Sequence, residues 1–119
     1  FAEKQGYSKF GSYAGNGNAN GTFVYTGFKP AMVITKRTDG AADWFIRDNK
    51  QDPENVMNEY LSPNTNATSG DLDSFDFVSN GFKIRNNNNA WNGDGNSYVY
   101  MAFAESPFVN SNGVPCNAR

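Results

Sequence analysis

Ser97-Tyr-Val-Tyr-Met-Ala-Phe-Ala-Glu105 is the stretch whose reading decides the fold class of this chain. At a period of two, Tyr98, Tyr100, Ala102 and Ala104 share one side, and Val99, Met101 and Phe103 share the other. Both sides are largely apolar. The run is short and rich in aromatic and β-branched types, which favours a strand over a helix. A strand apolar on both faces belongs in the middle of a layered structure, covered above and below. Its small alanines admit the close approach of another sheet or of a neighbouring subunit. Of the two faces, Val99, Met101 and Phe103 are expected to point into the core.

Working outward, Gly6–Tyr13 alternates imperfectly and reads as a first strand, followed by a Gly- and Asn-rich turn over Ala14–Gly21. Thr22–Phe28 and Ala31–Arg37 read as strands on either side of Lys29-Pro30, where proline suits a corner. Asp43–Asp48 is the next strand, with Trp44 and Ile46 on one side and Phe45 and Arg47 on the other. Lys36, Arg37 and Arg47 are expected to pair with nearby carboxylates. Asn49–Asn58 is polar without a firm period, Asn55–Leu61 fits either a helical turn or a strand, and Asn64–Gly70 reads as loop. Phe75–Val78 and Phe82–Arg85 flank Asn80-Gly81, a hairpin signal that predicts a type I′ turn with both central residues at positive φ. Asn86–Asn96 is a long loop carrying one tryptophan.

Short strands, frequent turn signals and no long helical period imply an all-β chain: an antiparallel β-sandwich, with a jelly roll as one form of it. The expected core is Phe23, Tyr25, Val33, Trp44, Ile46, Phe77, Phe82, Ile84, Val99, Met101 and Phe103. The length of 119 residues suits one domain. Residues 1–5 read as the end of a preceding unit or a linker, 6–108 as the sandwich and 109–119 as a C-terminal tail. Phe1-Ala2-Glu3 recurs as Phe103-Ala104-Glu105, as though the chain began at the close of an earlier, similar unit.

Composition narrows the chemistry. The chain has no histidine, which removes the commonest general base and metal ligand. Its one cysteine, Cys116, rules out an internal disulfide and a thiolate cluster. A net charge of −2 gives no electrostatic footprint for nucleic acid or an anionic membrane. No apolar run is long enough to span a bilayer. The carboxylates Asp43, Asp48, Glu54, Glu59, Asp71, Asp73 and Asp76 read first as surface charge rather than as a glycosidase pair. Asp71-x-Asp73-x-x-Asp76 and Asn92-x-Asp94-x-Asn96 have oxygen ligands at alternate positions, yet neither continues to the bidentate Glu of a calcium hand. No metal and no cofactor is expected.

Six ordered motifs carry a family resemblance: Gly6–Tyr13, Val24–Phe28 before Pro30, Ile34–Asp39, Trp44–Ile46, Asp76–Arg85 and Tyr98–Glu105. Together they resemble a β-domain found near the C-termini of tail-fibre and other tail-associated proteins of tailed bacteriophages, a family of unknown function. The resemblance covers nearly the whole chain. It implies a virion tail component, extracellular when mature, that contacts other tail proteins and attaches to a host-cell surface glycan or protein. It implies no catalytic residues, so the chain is not expected to be an enzyme. The alternative is a purely structural fibre-tip, trimerisation or decoration domain without ligand. The doubly apolar Ser97–Glu105 strand, joined to the fibre resemblance, leads to a homotrimer as the expected working unit. For ligand binding the candidates are Trp91, Asn92, Asp94 and Asn96. An indole among asparagines and glycines has few apolar neighbours in sequence. Exposed, it would give a flat platform for the C–H face of a sugar, with Asn and Asp side chains for the hydroxyls. Folded back, it would instead be a lid over the edge of the sandwich.

Overall fold

Alternating apolar residues between Gly-, Asn- and Pro-marked turns can satisfy their backbone groups only by pairing strand to strand, and they do so here in two layers. A computed structural model of the protein describes residues 2–105. It forms β1 (Ser8–Ala14), β2 (Phe23–Tyr25), β3 (Pro30–Arg37), β4 (Trp44–Asp48), β5 (Met57–Tyr60), β6 (Gly70–Val78), β7 (Gly81–Ile84) and β8 (Ser97–Ala104). A front sheet in the order β1-β8-β3-β4 packs on a back sheet in the order β2-β7-β6-β5, every pair antiparallel. The chain is an all-β sandwich. Placing β1 beside β8 and β2 beside β7 gives the rolled pairing of one long folded-over hairpin, while β3–β4 and β5–β6–β7 are simple meanders. Residues Phe1 and 106–119, with Pro107 and Cys116, lie outside the described residues, as does the expected boundary at 108.

The strand quoted at the outset is central in the front sheet, held between β1 and β3. Its faces are the reverse of the expectation. Tyr98, Tyr100 and Ala102 are buried against the back sheet, Met101 and Phe103 are half-buried, and Val99 is exposed. The same inversion runs through β4, where Phe45 and Arg47 turn inward and Trp44 and Ile46 outward. In β2 Val24 is buried, and the expected core residues Phe23 and Tyr25 are exposed. Val33, Phe77, Phe82 and Ile84 are in the core as expected.

Sterics and hydroxyl pairing decide between two apolar faces. Phe75 and Phe82 stack in the back sheet with ring centroids 5.4 Å apart, and need room opposite. Gly11 and Ala102 provide it on the front sheet's inner side, where Tyr100 meets the Phe82 ring edge-on at 5.5 Å. Tyr13 and Tyr98 stack 5.1 Å apart and carry their hydroxyls to backbone acceptors, Tyr13 to the Trp91 carbonyl at 2.8 Å and Tyr98 to that of Asn89 at 2.7 Å. Tyrosine in a core needs such partners, and the loop above supplies them.

The β6–β7 hairpin is present, but its turn is displaced by one residue. Val78 pairs with Gly81, so Ser79 and Asn80 are the two turn residues and Gly81 lies in β7. Among the described residues only Gly6, Gly17, Gly27 and Gly95 have positive φ, which excludes the expected type I′ turn. Glycine at 81 answers a different demand. β2 joins β7 with Tyr25 opposite Gly81, and a Cβ there would collide with the Val24 carbonyl oxygen. Of the three cations expected to pair with carboxylates, Arg37 does so, with Nε 2.8 Å from Asp39. Lys36 instead donates to the Arg37 carbonyl, and Arg47 is buried without a carboxylate partner among the described residues. At Gly81, Ala and Asn should both lower stability by about 1–3 kcal/mol in urea unfolding, because either Cβ overpacks the Val24 carbonyl. An asparagine tolerated much better than alanine would point instead to a left-handed backbone there.

Candidate functional site

The Asn86–Asn96 loop does not stand free. Asn92 is fully buried, and its amide nitrogen donates to Asn16 Oδ1 at 3.0 Å and to the carbonyls of Asn18 at 2.9 Å and Asn86 at 2.8 Å. Its side-chain oxygen accepts the Asn16 N–H at 3.1 Å. The Gly15 N–H donates to Asn96 O at 2.9 Å, that of Gly17 to Asn92 O at 3.0 Å and that of Gly95 to Gly15 O at 3.1 Å. The loop is thereby stitched to the Asn- and Gly-rich Ala14–Gly21 turn. Glycine at 15 allows the approach, since a Cβ there would sit on the Gly93 carbonyl.

Trp91 is 1 % exposed, which corrects the expectation of an exposed indole platform. Its ring meets Phe45 edge-on at 5.1 Å and Tyr60 at 5.5 Å. Its lack of apolar neighbours in sequence is made good by neighbours from β4 and β5, which no local reading of the loop reveals. The four candidate residues are not brought together on a surface. Trp91 and Asn92 point into the protein, Asp94 is exposed and Asn96 is half-buried. The Asn92 side chain is engaged by protein groups, so the alternation of Asn92, Asp94 and Asn96 does not offer three free side-chain oxygens.

Beneath Trp91 lies Arg47, 0 % exposed. Its Cζ is 4.2 Å from the Phe75 ring centroid, 4.4 Å from that of Trp91, 5.3 Å from that of Tyr60 and 5.9 Å from that of Phe45. Nε donates to Ser74 Oγ at 2.8 Å, and Ser74 Oγ donates onward to the Met57 carbonyl at 3.3 Å. Burial pushes the guanidinium down to about 9, so it remains a cation at neutral pH. Burial also raises the Tyr13 hydroxyl well above the ordinary phenol range.

An accessible groove lies elsewhere, on the outer face of the front sheet. The register sets Val99 between Ser12 and Lys36 beside Trp44, then Phe10, Met101, Ile34 and Ile46 in one row, then Phe103 and Met32 beside Asp48. A groove of about 540 Å³ runs over Phe10, Ile34, Trp44, Val99 and Met101. Trp44 and Val99 are each 38 % exposed. Eight apolar side chains on an outer sheet face, with Lys36 and Asp48 on opposite borders, exceed the scattered surface apolar residues usual for a monomer. Sequence held a signal for this face: β3, β4 and β8 are each apolar on both sides, twice what one core requires.

The structure therefore has an apolar outer sheet face and two loops, Ala14–Gly21 and Asn86–Asn96, that are joined to each other. Over residues 1–107 the chain matches the family described as Domain of unknown function (DUF7483), and it belongs to that family. No curated protein and no solved structure matches it. Two substitutions probe the loop. Trp91→Ala should cost about 3–5 kcal/mol, as for a large aromatic removed from a packed core. Asn92→Asp, which turns a donor to three oxygens into an acceptor, should cost at least about 3 kcal/mol. Equilibrium urea unfolding measures both, and a Trp91→Ala protein of unchanged stability would contradict the buried placement.

Proposed function

We propose that this domain is a non-enzymatic structural module of a tailed-phage tail protein, and that it assembles as a homotrimer with the outer faces of its front sheets turned towards a common axis. One observation carries the proposal: the apolar outer face built from Phe10, Ile34, Trp44, Val99 and Met101, which no described residue covers. Left in water, such a face forfeits roughly 25 cal/mol for each Å² of apolar surface that another subunit would bury. Lys36 and Asp48 lie at its borders, so the apolar centre of the face carries no charge. The absence of histidine from the chain supports a module without acid–base chemistry. Residence in the virion tail, outside the host, rests on the ordered motifs from Gly6–Tyr13 to Tyr98–Glu105.

Host attachment is a second reading, favoured by another place in the fold. Tyr25 is 65 % exposed and borders a cleft of about 310 Å³ with Glu3, Gln5, Lys9 and Thr26. An aromatic ring beside a carboxylate, an amide and an ammonium suits a host-surface glycan better than the apolar groove does. The assembly reading is tested by sedimentation of the full-length parent protein and of a Val99→Asp/Met101→Lys variant. A wild-type trimer converted to folded monomer is expected; a wild-type monomer at micromolar concentration overturns it. For the attachment reading, Tyr25→Ala should abolish glycan-array or host-cell binding without altering the oligomer.

A further inference from the structure

The core of the sandwich contains a positive charge with no carboxylate beside it among the described residues. Arg47 is wholly buried, and among the described residues no carboxylate pairs with it. Of its five N–H groups, the one on Nε is satisfied by Ser74. Among the described residues Nη1 and Nη2 have no hydrogen-bond partner, and neither do two other buried atoms, Trp91 Nε1 and Thr35 Oγ1. Thr35 lies on the inner face of β3 opposite Phe45, next to the Val33–Arg47 pair. The indole lies against the guanidinium, with its centroid 4.4 Å from Cζ.

The rings of Phe75 and Trp91, with centroids 4.2 and 4.4 Å from Cζ, stabilise the cation but accept none of the Nη hydrogen bonds. Cation–π contact with the rings offsets only part of the cost of burying a charge without a counter-ion. The orphaned groups are overwhelmingly donors: four guanidinium N–H bonds, one indole N–H and one hydroxyl. A water molecule accepts from such donors but brings two protons that need acceptors of their own, and Thr35 Oγ1 is the one orphaned acceptor among these groups. A small anion accepts from every donor, brings no proton and supplies the missing charge.

We infer that Arg47 holds a monovalent anion of the halide class inside the sandwich, between the Nη groups, the Trp91 indole N–H and the Thr35 hydroxyl. Phe45, Tyr60 and Phe75 close the surroundings, so the ion is enclosed as the domain folds and stabilises the folded state by mass action. The inference is independent of the assembly face, which lies on the other side of the front sheet.

The test uses the intact protein. Crystals grown in sodium bromide and measured at the bromine absorption edge should show an anomalous peak within contact distance of Arg47 Nη1 or Nη2. In solution, at constant ionic strength made up with gluconate, the unfolding midpoint should rise by about 5 °C for each tenfold increase in bromide above the dissociation constant. Arg47→Met, which fills similar volume without charge, should remove that dependence. Ordered water without an anomalous peak at saturating bromide overturns the inference, as does an equal bromide response in wild type and Arg47→Met. Should Arg47→Met fail to fold, the anomalous measurement on the wild-type protein still decides.

Discussion

The contact on which the rest of the structure depends is the Arg47 guanidinium between the rings of Phe75 and Trp91. Arg47 belongs to β4 in the front sheet, Phe75 and Ser74 to β6 in the back sheet, and Trp91 to the loop that caps the end of the sandwich. One side chain therefore joins both layers and the loop. Because a buried guanidinium costs much of what its contacts return, its value lies in discrimination more than in stability. A slip of one residue in β4 would put Arg47 in solvent and Ile46 in its place, leaving the Ser74 hydroxyl without its donor.

With the parity of β4 settled, the faces of its neighbours follow. Phe45 and Arg47 inward require Thr35 and Val33 inward across the β3 pairing, which in turn places Tyr100 and Ala102 inward on β8. Every bulky apolar residue of the opposite parity is driven to the outer face. The groove over Phe10, Ile34, Trp44, Val99 and Met101 is thus a consequence of the core arrangement. The interior that organises the monomer and the exterior proposed to organise the trimer are two sides of one set of strands.

The asparagine-rich segments have a comparable economy. Ala14–Gly21 and Asn86–Asn96 look like loose, solvent-facing connections, yet Asn16, Asn18 and Asn92 satisfy one another's backbone and amide groups across the top of the sandwich. Side chains that carry both donors and acceptors let two irregular loops pack together with few orphaned polar atoms. Glycine at 15 permits the close approach, and the tyrosine hydroxyls from β1 and β8 tie the loop to the front sheet.

By itself, the sequence determined the class of the fold and the positions of most strands. Alternation, turn residues and the scarcity of helical periods act locally, and they place β3, β4, β7 and β8 within a residue or two of where they lie. The expectation that β8 is covered above and below is met on one side only among the described residues: it is central in its sheet, with one face on the back sheet and Val99 exposed on the other. Tertiary structure alone decided which face of each front strand is the inside. Period two says that Val99 and Tyr98 point apart, but the choice rests on the volume of Phe75 and Phe82 across the interface and on hydroxyl acceptors in the loop, that of Tyr13 lying 78 residues away in sequence. The same holds for Trp91, whose covering rings come from strands more than thirty residues upstream, and for Gly81, whose constraint is the backbone of β2 rather than its own φ. Local sequence specifies what a residue prefers; what stands opposite it is set only when the two sheets meet.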